Sequence, residues 1–214
     1  MKNNLHVHDF NNPYTLNVFS DASTHGPNTC YGAVAVIEDN VIDELYRIRS
    51  NATANAGEIR GLRLALVLAD QYKIGFKQIN IFCDSQLSVL GLREYYPYKW
   101  KADYDNHVLL TKYGSEVINQ EVFIENYNIL AHIRKFVPVG LFCQKGHVNL
   151  KSSNSLNYAL HVFKTANRIS LQVDMNLIKY ISKYNGYIDV HSRNYLKKYY
   201  DSNNIYYDPI SFSI

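Results

Sequence analysis

The sequence predicts an α/β domain, on three observations. Two segments, LNVFSD at 16–21 and INIFCD at 79–84, carry nearly the same strand pattern and each ends in an aspartate. Three strand-like segments with short connections open the chain, and a long amphipathic helix separates them from the second aspartate. Side chains two apart in a strand share a face, so Asn17, Phe19 and Asp21 line one side of the first segment, and Asn80, Phe82 and Asp84 one side of the second. Set side by side and parallel, the two strands deliver both aspartates to the same end, where open α/β sheets place their sites. Like charges held close repel unless a cation lies between them, which makes the pair a candidate divalent-metal site.

Taken in order, residues 1–13 are polar and read as a loose tail, His6, His8 and Asp9 included. The first strand is expected over 14–22, followed by a turn over 24–29 that contains Gly26, Pro27 and Asn28. Further strands are expected over 31–38 and 41–50, joined at Asp39-Asn40, which gives an antiparallel meander. Over 52–73 the apolar residues Ile59, Leu62, Leu66 and Ala69 recur at helical spacing. Glu58 stands at the head of that stripe, in register with Leu62, Ala65 and Ala69. A carboxylate there is favoured by the helix dipole if wet, and needs a partner or a metal if buried. The strand 79–83 comes next, with Ser85 as the cap of a helix over 85–94. Helices are expected over 107–116 and 122–136, a last strand over 139–144, a helix from Ser153 or Asn154 to about Arg168, and another over 171–183. The aromatic and basic run YYPYKW at 95–100 suits either a nucleic-acid groove or tyrosines packed against a loop.

Composition narrows the class. The chain has 214 residues, 47% of them hydrophobic, enough for one well-buried domain with an appendage or for two small domains. A formal charge of +3 is too mild to establish nucleic-acid binding. The 19 tyrosines offer stacking surface, or reflect a Tyr- and Asn-rich composition. Three widely spaced cysteines, Cys30, Cys83 and Cys143, form neither a zinc motif nor a disulfide framework. No stretch reads as a signal peptide or reaches membrane-spanning length, so a cytoplasmic protein with no membrane partner is expected.

Five local motifs, taken together and in order, resemble the ribonuclease H family: FSDAS at 19–23, YGAVAVI at 31–37, TANAGEIRGLRLAL at 53–66, FCDSQ at 82–86 and QKGHV at 144–148. The resemblance covers 14–168. It implies a ribonuclease H-like fold, a five-stranded mixed sheet flanked by helices, with 169–214 as a C-terminal helical extension. Asp21, Glu58 and Asp84 match the family's metal-binding carboxylates, and His147 matches a mobile-loop histidine tied to proton transfer or product release. Asn55 and Gln86 match residues that contact the nucleic-acid hybrid. The family's fourth carboxylate falls at Asn157 here, a neutral and weaker magnesium ligand. No Asp or Glu lies between 148 and 166, and Asp174 is the nearest downstream acid.

The resemblance thus implies a two-metal-ion endonuclease that uses Mg2+, with Mn2+ as a substitute, and cuts the RNA strand of RNA–DNA hybrids. Asp21, Glu58, Asp84 and Asn157 are the expected ligands. Two alternatives stand beside it: a binding module of the same shape that has lost turnover, for which Asn157 speaks, and a viral or mobile-element nuclease acting on DNA or structured RNA. The extension could pack beside the preceding helix, widen the hybrid-binding face or meet a protein partner.

Overall fold

The computed structural model describes residues 10–168 and 173–203. The polar segment with His6, His8 and Asp9 lies outside them. A central sheet is built from β1 (Thr15–His25), β2 (Asn28–Ile37), β3 (Asn40–Ser50), β4 (Gln78–Cys83) and β7 (Val139–Cys143), in the order β3-β2-β1-β4-β7. β1, β2 and β3 pair antiparallel, whereas β4 joins β1, and β7 joins β4, in parallel. Helices cover both faces, which is the ribonuclease H-like architecture expected.

Register follows from buried polar contacts as well as apolar pattern. Asn17 pairs with Asn80 across β1 and β4, and both are fully buried. The Asn80 Nδ2 donates to Asn17 Oδ1 at 3.0 Å, and Asn17 Nδ2 donates to the Tyr180 hydroxyl at 3.2 Å. A slip of one residue would bury these amides without partners, so the contacts hold one register. That register aligns Phe19 with Phe82 and Ser20 with Cys83. One residue further, Asp84 leaves β4 beside Asp21, which stays within β1 opposite Gly32.

The two faces are packed differently. Leu16, Val18, Ile79, Ile81 and Leu141 face α1 (Ala54–Gln71), which buries Ile59, Leu62, Leu66 and Ala69 against them. The other face carries a ladder of rings: Phe19 stacks on Phe82 at 4.9 Å between centroids, and Phe82 on Phe142 at 5.2 Å. Phe163 of α5 (Ser153–Asn167) and Tyr180 and Tyr184 of α6 (Met175–Ser202) close over the ladder.

Thr53 caps α1, its Oγ1 accepting from the Ala56 amide at 3.2 Å. Two glycines set how closely that helix lies. A Cβ on Gly61 would stand 3.1 Å from the Asp21 carbonyl oxygen, and one on Gly57 would overlap the Thr29 methyl and stand 3.1 Å from Ala22 Cβ.

Three elements differ from the sequence reading. Residues 107–116 form no helix. β5 (Lys101–Asp103) and β6 (Val108–Leu110) make a small antiparallel hairpin, and Leu110 bridges to Glu116. Asp103 turns the chain there by accepting from Asn106 through both carboxylate oxygens, and Gly114 adopts φ +82. Downstream of Ser85, α2 (Gln86–Leu90) does not stop at 94. It passes through a π-helical turn, Gly91–Tyr95, into α3 (Tyr96–Tyr98).

The final helix is far longer than 171–183. Asp174 caps it, accepting from the Leu177 amide at 2.9 Å, and it continues to Ser202. Tyr184, Ile188, Ser192, Leu196 and Tyr200, every fourth residue, are buried. Tertiary burial of that stripe outweighs the weak helix propensity of its Tyr- and Asn-rich sequence. The run 95–100 is largely packed. Tyr96 meets Tyr127 at 4.6 Å and Trp100 meets Phe123 edge-on at 4.8 Å, while Tyr98 stays exposed. α4 (Gln120–Ile133), which carries Phe123 and Tyr127, lies beside α1.

Gly57→Ala tests the close approach of α1. Alanine gains about 1 kcal/mol of intrinsic helix propensity, but its methyl overlaps Thr29, and overpacking costs about 1–3 kcal/mol. A net loss of stability in urea denaturation is expected; equal or greater stability would contradict the packing.

Candidate acidic active site

The carboxyl ends of β1, β3, β4 and β7 all point the same way. α1 begins there after β3, α2 begins there after β4, and the loop 144–152 leaves there after β7. This end of the sheet gathers three of the residues singled out in the sequence. Asp21 extends from β1, Asp84 follows β4, and Glu58 reaches in from the first turns of α1.

The three carboxyl groups sense one another. Burial raises Asp21 well above the usual carboxylate range, and the Asp84 charge adds to the shift. Burial raises Glu58 likewise, reinforced by the charges of Asp84 and Asp21. Asp84 is raised by burial, against the pull of His147 and Lys145. Asp21 is 4% exposed, and its Oδ1 accepts from the Ala22 amide at 2.7 Å. Glu58 Oε2 and Asp84 Oδ1 are buried with no hydrogen-bond partner. Ligand atoms of Glu58, Asp84 and the buried Cys83 lie within 4.8 Å of one another.

Orphaned carboxylate oxygens converging in a desolvated pocket are costly alone and well suited to a hard divalent cation. The chain's own residues therefore fit a metal of that kind. The backbone adds a second sign. A Cβ on Gly146 would overlap Asp84 Oδ2, so any side chain there would displace that carboxylate as the loop after β7 closes on it.

The remaining sequence candidates are exposed. His147 follows Gly146 with φ +52, its side chain 77% exposed and its Nδ1 3.9 Å from Asp189 Oδ2. Asn55 is exposed in the first turn of α1, and Gln86 is exposed at the first position of α2. Asn157 is exposed on α5 and makes no hydrogen bond to the three acids. Asp174 is engaged in capping α6.

Two residues that the sequence reading did not single out, Asp189 and Arg193 of α6, act on Asp21 with opposite sign. The signal available for them was the every-fourth-residue stripe from Tyr184 to Tyr200, which carries this segment back over β1. The three cysteines are free and buried. Among the described residues no helix is long and apolar enough to cross a membrane.

No family model and no curated protein matches the chain. Solved structures of similar shape include the N-terminal RNase H domain of a Mycobacterium tuberculosis protein, at 18% identity and TM-score 0.46, covering 74% of this chain and 99% of that one. The RNase H domain of prototype foamy virus is similar at 16% identity and TM-score 0.48, covering 72% and 94%. An RNase H1 isolated from compost, solved in complex with an RNA/DNA hybrid, is similar at 16% identity and TM-score 0.44, covering 71% and 98%. At these identities and scores the likeness adds no weight to a function; the acidic cluster carries that.

The raised carboxyl groups fix the sign of a pH effect. Between the ordinary values of 3.8 and 4.5 and the raised ones, the folded chain holds protons that the unfolded chain has released, so stability falls as pH rises through that window. Asp84→Asn removes one charge of the cluster. In EDTA at neutral pH this variant is expected to melt above wild type, by about 2–4 °C for each kcal/mol of repulsion relieved, with the gap closing near pH 4. A lower melting temperature, or a gap independent of pH, would contradict the cluster.

Proposed function

We propose that the chain is a divalent-metal-dependent endonuclease that hydrolyses the RNA strand of RNA–DNA hybrids. The observation that carries this reading is the meeting of Asp21, Glu58 and Asp84 with two buried carboxylate oxygens left unpartnered. Asp21, Glu58 and Asp84 would hold Mg2+, with Mn2+ as a substitute. When bound, two such ions supply the charge that activates a water and stabilises the attacking and leaving oxygens of a phosphodiester.

The protein's own groups do the rest. Burial keeps bulk water from screening the carboxylates. Gly146 lets the loop after β7 pack on Asp84, and so sets His147 at the mouth of the site. There the exposed imidazole can take or return a proton as substrate enters or product leaves. Asn55 and Gln86 open two helices on the same end of the sheet, each presenting an amide with both donor and acceptor. Such groups can read the 2′-hydroxyl that distinguishes RNA from DNA.

Labelled RNA–DNA hybrid, duplex DNA, duplex RNA and single strands, each incubated with the protein in Mg2+ or Mn2+, test the proposal. Cutting confined to the RNA of the hybrid, lost in Asp84→Asn, is expected. Binding without cutting in either metal would assign the chain to the non-catalytic class, and cutting of duplex DNA or of RNA alone would assign it to another nuclease class.

A further inference from the structure

The expected position of a fourth carboxylate is the neutral, exposed Asn157. A carboxylate does reach the acidic end of the sheet, but from a different helix. Strand alternation puts Asp21 on the same face as Phe19, and that face is covered by α6, whose Tyr184 and Tyr180 lie 5.1 and 5.8 Å from the Phe19 ring. Asp189 follows the fully buried Ile188 on this helix, and its side chain is 13% exposed.

Two contacts tie this part of α6 to the loop that closes on Asp84. One turn before Asp189, Asn185 Oδ1 accepts from Gln144 Nε2 at 2.6 Å, and both residues are buried. Asp189 Oδ2 itself lies 3.9 Å from His147 Nδ1, and His147 is the residue after the glycine that packs on Asp84. Asp21, Asp84, His147 and Asp189 thus border one space. Within it, Glu58 Oε2 and Asp84 Oδ1 are buried and unpartnered, which points independently to a ligand there. One turn further along α6, Arg193 pairs with Asp189 through its guanidinium.

We propose that Asp189 is the fourth carboxylate of the acidic site, a cation ligand on the Asp21 side, and that Arg193 is the counter-ion it exchanges for the metal. This rests on the reading of Asp21, Glu58 and Asp84 as a divalent-cation site. The ion pair holds Asp189 in place while no cation is bound. Were a divalent ion bound, Asp189 would serve as one of its ligands, and the Arg193 guanidinium could then turn to a phosphate of the substrate. The last helix is then part of the site as well as the lid on the Phe ladder.

Two variants with opposite expected signs separate this role from a purely structural one. The full chain, stripped of metal with EDTA and dialysed, is titrated with Mn2+ in a calorimeter, with Asp84→Asn as the control for the site. Asp189→Asn is expected to weaken Mn2+ binding about tenfold, because ligand charge sets affinity at such sites. Arg193→Gln is expected to tighten it by about two- to fivefold, the scale of a half-exposed ion pair. Asn157→Ala is expected to bind as wild type does.

A helix brace with no part in the site would lose stability in both α6 variants and would not move affinity in opposite directions. Wild-type affinity in Asp189→Asn, with binding lost in Asp84→Asn, overturns the inference and leaves the cation site standing. Wild-type affinity in Asp84→Asn as well overturns both. If Asp189→Asn does not fold, Arg193→Gln decides: unchanged or weaker binding contradicts the exchange.

Discussion

Repulsion among three carboxylates, one buried and two partly buried, is the constraint on which the rest of this structure depends. Asp21, Glu58 and Asp84 are withdrawn from water to a degree that raises the proton affinity of each. Such a grouping is expensive without a compensating cation. It persists only because the surrounding fold over-determines it. The Asn17–Asn80 pair holds β1 and β4 in the register that puts two aspartates side by side. The missing side chains of Gly57 and Gly61 let α1 approach β1 closely enough for Glu58 to join them. Gly146 then lets the loop after β7 close on Asp84. Each feature is modest alone, and together they keep the acids from moving apart.

The far face of the sheet supplies the rigidity. Phe19, Phe82 and Phe142 stack across three parallel strands, and α5 and α6 seal them. Stacked and tilted aromatic pairs add to the burial of their area, so the strand segments that lead to Asp21 and Asp84 grow from a packed aromatic core. α6 links this core to the site. The helix that caps the ladder with Tyr180 and Tyr184 also carries Asp189 and Arg193, about one turn of helix apart, to the acidic end.

Much of this was legible in the chain itself, because it depends on local periodicity. The repeated LNVFSD and INIFCD patterns mark two neighbouring parallel strands, and the stripe Ile59, Leu62, Leu66 and Ala69 marks the helix that faces them. The convergence of Asp21, Glu58 and Asp84 follows from those elements. Residues 107–116 read as a helix because their apolar side chains are compatible with helical spacing, but Asp103, Asn106 and Gly114 impose turns that spacing alone does not reveal. The last helix was cut short because Tyr and Asn are weak helix formers, and its continuation depends on burial against strands more than a hundred residues away. Asp189 is hidden for the same reason: the stripe from Tyr184 to Tyr200 that carries it back over β1 stands out as a helix face only once its burial is known.

Diffraction from crystals soaked in Mn2+, with anomalous scattering measured at the manganese edge, tests the central claim most directly. The account predicts an anomalous peak liganded by carboxylate oxygens of Asp21, Glu58 and Asp84, at about 2.0–2.4 Å as expected for small divalent ions on oxygen. Carboxylates that remain clustered with no metal between them, or a Glu58 side chain turned out to bulk solvent, would contradict it.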